Sequence, residues 1–184
     1  MKKNICVVTG SRAEYGLLSN LLFKLKKDGH FNLQIIVTGM HLSTEFGKTF
    51  EEINKDGLKI DKKIECILSS DTPNSICKST GIGFFSFGDA YEDLKPDIIV
   101  LLGDRYELFA AAFSALVYGI PIAHIHGGEL TSGAFDDAIR HSITKMSWLH
   151  FTSTDVYKKR IIQMGESPLR VFNVGGLGAE KILN

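Results

Sequence analysis

Six short runs rich in valine and isoleucine recur along this chain: NICVVTG (4–10), LQIIVTG (33–39), DIIVLLG (97–103), IPIAHIHG (120–127), LHFTS (149–153) and RVFNVGG (170–176). Most close on glycine, threonine or serine. Between them lie stretches of helical period. EYGLLSNLLFKLKKDG is one, with Leu17, Leu18, Leu21, Leu22 and Leu25 on one face and Gly29 after a basic last turn. Continuous apolar strands bury both faces, and only a parallel sheet with helices on each side provides that burial. The pattern therefore predicts an α/β, doubly wound, mostly parallel sheet. With 184 residues, one domain is expected.

The segment DGLKIDKKIECILSSDTPNS predicts a short strand near 63–68, a polar loop, and then a helix from Asn74 to Leu94. Lys95 and Pro96 close that helix, because the residue before proline avoids helical backbone. Its IGFFSFG stretch reads as core through Phe84, Phe85 and Phe87, with a homo-oligomer interface as the other use.

Lysine plus arginine and aspartate plus glutamate balance at 21 each, so no net field draws the chain to nucleic acid or an anionic membrane. Cys6, Cys66 and Cys77 are odd in number and lack metal-ligand spacing, which predicts reduced thiols. The apolar run after Lys2 and Lys3 breaks at Thr9-Gly10, too short for a secretory signal. No segment reaches the roughly 20 apolar residues of a membrane span. A cytoplasmic location is the expectation.

In an open parallel sheet the ligand sits beyond the carboxyl ends of the strands. TGSRAEYG, LGDRYE, HIHGGELTSGAFDD and TSTD fall there. In the first, Ser11 caps a helix and Arg12 projects from its opening turn, an arrangement suited to phosphate; the bland alternative pairs Arg12 with Glu14. Neither GxxxxGK[ST] nor GxGxxG is present, which disfavours ATP and NAD. Asp104 and Arg105 follow the next strand, where Asp104 is expected to cap the helix from Tyr106.

AHIHGGE allows two readings. Strand alternation puts His124 and His126 on one face, as metal ligands completed by Glu129, Asp136 or His141. Alternatively, His126 with the Gly127-Gly128 backbone closely approaches a ligand, while His124 is a buried, hydrogen-bonded histidine. Downstream, a helix opening near Gly133 or Ala134 pairs Asp136 with Arg140 and Asp137 with His141. Glu129, Asp136 and Asp137 are expected to converge where Asp104 emerges. Clustered carboxylates raise at least one pKa, suiting the group to proton transfer near neutral pH.

GSRAEYG, LGDR, HIHGGE followed by DDAIRHSITK, and RVFNVGGLG, in this order, resemble the hydrolysing UDP-N-acetylglucosamine 2-epimerases of sialic acid biosynthesis. Similar enzymes act on UDP-2,4-diacetamido-2,4,6-trideoxyglucose in legionaminic acid pathways. The resemblance implies one Rossmann-like lobe of a two-domain GT-B enzyme that eliminates UDP and adds water, without a metal or redox cofactor. It puts Asp104 in the active site, Asp136, Asp137 and Arg140 near the sugar, and Arg12 facing the diphosphate or the sugar. Arg105, His126, Gly127 and Gly128 join them as candidate binding residues, and Glu129 joins the acids. Some relatives carry glutamate where His126 stands. Relatives are also about twice as long, so the UDP-binding second domain is expected to be missing. A small metallohydrolase and a non-catalytic nucleotide-sugar-binding domain are the competing readings.

Overall fold

In the computed structural model, residues 2–131 and 135–178 are described. The strands are β1 (Lys3–Thr9), β2 (Phe31–Thr38), β3 (Lys62–Ile64), β4 (Ile98–Leu102), β5 (Ile122–Ile125), β6 (Leu149–Thr152) and β7 (Val171–Asn173). The helices are α1 (Arg12–Lys27), α2 (Phe50–Lys55), α3 (Pro73–Leu94), α4 (Tyr106–Val117), α5 (Asp136–Met146) and α6 (Asp155–Gln163). All seven strands run parallel in the order β3-β2-β1-β4-β5-β6-β7. The order reverses between β1 and β4, so their carboxyl ends flank the crevice where such sheets bind ligands.

Alternation along the central strands divides the core in two. Cys6, Val8, Ile99, Leu101 and Ile122 meet α3, α4 and Ile143 of α5 on one face. Val7, Val100, Leu102, Ala123 and Ile125 lie on the other face with Leu18 and Leu22 of α1 and Ile53 of α2. On this second face an apolar groove of about 280 Å³ runs over β4, β5 and β6, bounded by Leu21 and Leu25 of α1 and by Val174 and Leu177. Gly83 of α3 allows close helix packing, since a Cβ there would come within 2.9 Å of Ala110 in α4.

The ends of α1 and the close of α3 behave as expected, while α3 opens at Pro73, one residue before the expected Asn74. Ser11 and Thr72 accept the backbone N–H groups of Glu14 and Ser75, and Lys95 ends α3 in left-handed backbone (φ 46°) just before Pro96. The strand expected at 63–68 shrinks to Lys62–Ile64, because its partner β2 stops at Thr38, opposite Ile64. Phe87 is buried and Phe84 packs edge-on against Phe109 and Phe113, but Phe85 is 80% exposed, contrary to its expected core role. Among the described residues no helix is long and apolar enough to cross a membrane.

Candidate functional site

Gly103, with φ 89°, turns the chain out of β4 and sends its two successors in opposite directions. Asp104 heads toward the β5 side, where Arg140 of α5 donates to its carboxylate and to the Thr131 hydroxyl at 3.0 Å. Arg140 also lies 4.0 Å from Asp137, whose carboxylate accepts the Thr131 N–H at 3.1 Å. Burial raises the Asp104 carboxyl above its ordinary range; Arg140 opposes this and Asp136 adds to it. Such a group sits closer to the pKa that a proton carrier needs at neutral pH.

These contacts correct two expectations. Asp104 does not cap α4, whose cap position is Arg105 without a side-chain bond, because Arg140 takes the carboxylate. Asp137, rather than Asp136, is the acid that pairs with Arg140, and it also lies 3.6 Å from His141. The expected helix start at Gly133 or Ala134 lies outside the described residues.

The HIHGGE segment departs furthest from the strand reading. β5 ends at Ile125, and His126 takes left-handed backbone at φ 63°. The alternation that put it on the face of His124 therefore fails. His124 is fully buried, with Nδ1 3.2 Å from the Thr144 hydroxyl and Nε2 2.8 Å from the Gly103 carbonyl oxygen. Burial holds its pKa down at about 3. Both ring nitrogens are taken, so the metal reading loses this ligand, and His124 is the buried, hydrogen-bonded histidine. Among the described residues no group of three histidine, cysteine or acidic side chains is arranged to hold a metal ion.

Gly127 and Gly128 are needed for packing against their own chain. A Cβ at Gly127 would come within 2.9 Å of the Thr144 hydroxyl oxygen, and one at Gly128 within 2.7 Å of the Tyr157 carbonyl oxygen. The turn they form carries His126 and Glu129. Glu129 accepts the Ser153 hydroxyl at 2.7 Å and lies 3.6 Å from Nδ1 of His126, which ties the β5 rim to the β6 rim. Burial lowers the His126 pKa, with Glu129 opposing and Arg140 reinforcing. Nε2 of His126 and Nε and Nη1 of Arg140 are buried without hydrogen-bond partners among the described residues. Unsatisfied buried donors of this kind suit a polar ligand.

Arg12 stands apart. Its side chain is exposed and its Nε donates to Glu52 of α2 at 3.1 Å, so the alternative Arg12–Glu14 pair does not form. Glu14 instead folds inward and accepts the Gly10 N–H at 2.7 Å. Arg105 turns to the β1 side, where its Nε donates to Glu107 at 2.5 Å and lies 3.9 Å from Glu14. Neither Glu14 nor Glu107 stood out in the sequence, since acids in the first turn of a helix usually answer the macrodipole. Arg105 and Tyr106 also border a hollow of about 410 Å³ whose walls include Met40, Phe46, Ile67 and Ser69.

Residues 23–184 match the family model described as UDP-N-acetylglucosamine 2-epimerase. The chain belongs to the UDP-N-acetylglucosamine 2-epimerase family. Within reach of this epimerase family, it is 53% identical over 183 residues to a GDP/UDP-N,N'-diacetylbacillosamine 2-epimerase (hydrolyzing) of Campylobacter jejuni, covering 100% of this chain and 47% of that one. It is 46% identical to polysialic acid biosynthesis protein P7 of Escherichia coli, covering 99% and 46%. The crystal structure of the Neisseria meningitidis UDP-GlcNAc 2-epimerase bound to UDP-GlcNAc superposes with a TM-score of 0.85 at 21% identity, over 98% of this chain and 48% of that one. The fold is thus a Rossmann-like lobe of the GT-B type, and the chain spans about half the length of the epimerase relatives it matches.

Proposed function

We propose that this chain is the N-terminal lobe of a hydrolysing UDP-sugar 2-epimerase, with the UDP-binding domain supplied by a second lobe. The substrate class is a UDP-activated 2-acetamido sugar. Of the two candidates, UDP-N-acetylglucosamine and UDP-2,4-diacetamido-2,4,6-trideoxyglucose, the name of the Campylobacter relative favours the second.

A carboxylate takes the proton from C2, the electron pair forms the C1–C2 double bond, and the C1–O bond breaks to release UDP. Water then adds across that bond: hydroxide joins C1 and a proton reaches C2 from the opposite face, giving the 2-epimeric free sugar. The single observation that carries this reading is Asp104, half-buried at the end of β4, raised in pKa by burial and held by Arg140. Asp136 and Asp137 supply further carboxylates, one acting on Asp104 directly and the other held by the same arginine, and His126 with Glu129 beside it offers a second proton carrier. Arg105 and Arg12, on the β1 side, take the diphosphate, where guanidinium groups stabilise the leaving charge.

The test follows both sugar nucleotides by NMR in heavy water, using the open reading frame that encodes this chain. Deuterium at C2 of the released sugar together with free UDP is the expected result. Release of sugar without deuterium at C2 would reject proton abstraction there.

A further inference from the structure

We infer that Glu14 and Glu107 are positioning residues for Arg105: together they form a buried two-carboxylate socket that aims its guanidinium and couples its hold on an anion to one proton. This rests on the reading of Arg105 as a diphosphate-binding group.

The socket is assembled from three strand ends. Glu107 is fully buried; one oxygen accepts Arg105 Nε at 2.5 Å, and the other has no partner among the described residues. Glu14, on α1, accepts the Gly10 N–H at 2.7 Å with one oxygen and the Ser11 hydroxyl at 3.2 Å with the other, which also faces Arg105 at 3.9 Å. The turns after β1 and β2 close against the same carboxylate. A Cβ at Gly10 would come within 2.9 Å of Glu107 Oε1, and one at Gly39, where φ is 63°, within 2.6 Å. The glycines of both TG turns thus leave room for an acid that supports an arginine.

Two carboxylates face one guanidinium, so the socket carries a net negative charge unless a proton enters. The other titratable groups around it are Tyr106 and Cys66, both of which feel Glu107, and His41, whose ring lies between Thr9 and Thr49. His41 stays neutral because burial lowers it to about 4. Burial pushes Glu14 up to about 7, and Glu107 adds to the rise. With Glu14 protonated, Arg105 faces one negative charge and keeps more of its field for a phosphate; with Glu14 ionised, the acids compete with the ligand. Anion affinity through Arg105 should therefore fall as pH rises through neutrality, and a bound anion should raise the proton affinity of Glu14.

The test follows the Arg105 Nε–Hε resonance of the 184-residue chain from pH 5 to 9, assigned with Arg105→Lys, beside titrations of the enzyme that joins this lobe to its UDP-binding lobe with UDP at pH 6 and 8. Glu14→Gln keeps an oxygen for the Gly10 N–H and removes the titration. In the wild type the resonance should move once, near neutrality, and in Glu14→Gln it should stay flat. UDP affinity should drop about fivefold more between the two pH values in the wild type than in Glu14→Gln, a comparison that cancels the ionisation of UDP itself. A flat wild-type resonance, or the same movement in Glu14→Gln, overturns the socket. A moving resonance with no UDP binding at either pH removes the diphosphate reading and leaves the socket standing. UDP binding whose pH dependence survives Glu14→Gln removes the coupling and leaves the diphosphate reading intact. Glu107→Gln should broaden or shift the same resonance; where that variant fails to fold, Glu14→Gln decides alone.

Discussion

Asp104 and Arg105 are adjacent in the chain, and each is bound into a cluster of two acids and one arginine. The clusters differ in water. Around Arg140, Asp104 and Asp137 keep 20% and 30% of their side-chain surface exposed. Around Arg105, Glu107 keeps none and Glu14 keeps 11%. The same stoichiometry yields two roles: an acid that substrate can reach exchanges protons with it, whereas an enclosed one acts through the arginine it holds.

The largest effect should separate these roles. Asp104→Asn should cut UDP release by about a thousandfold in the enzyme carrying this lobe, with UDP binding to that enzyme little changed. Arg105→Ala should do the reverse and weaken UDP in calorimetry. Equal binding losses in both variants would erase the distinction.

Next in size is the cost of leaving acids unpaired. Arg140→Met strands Asp104 and Asp137 and should lower stability by about 3 kcal/mol, read from urea unfolding. Gly39→Ala meets both left-handed backbone and Glu107 and should cost about 2 kcal/mol. Gly103→Ala, at φ 89° with open space around its Cβ position, should cost about 1 kcal/mol. Equal losses at the two glycines would show that the Glu107 carboxylate moves aside.

A smaller signature lies in the pH dependence of stability. Burial lowers His41 and His124 to about 4 and about 3, so the unfolded chain binds their protons first, and stability falls as pH drops below about 6.5. Glu14 acts in the opposite sense. Its folded pKa is raised to about 7, so its contribution grows as pH falls from there toward the usual glutamate value. His126 and His150, lowered by burial as well, add to the loss, so stability should fall on balance between pH 6 and 5. Glu14→Gln should steepen it, as urea midpoints across that range would reveal. Least of all, Phe85→Ser should change stability by under about 0.5 kcal/mol, because the ring is exposed. Sedimentation of that variant tests whether copies pair through α3.

The layout of the sheet was readable because both faces of its strands are apolar and each strand end carries a turn residue. Ser11 and Lys95-Pro96 carried their boundaries in local chemistry alone. The site was readable only as a neighbourhood. Asp104 looked like a cap because spacing along the chain cannot reveal Arg140 arriving from another helix. His126 looked like a strand residue because nothing local announces left-handed backbone at a histidine. Glu14 and Glu107 stayed hidden for the same reason: their meaning comes from the β1–β4 junction, which exists only once the sheet is assembled.

The groove over β4, β5 and β6 has a practical corollary. Hydrocarbon walls facing water there should make this chain take up an environment-sensitive dye such as anilinonaphthalene sulfonate while fully folded. Brightening of the dye would therefore be a poor gauge of its denaturation.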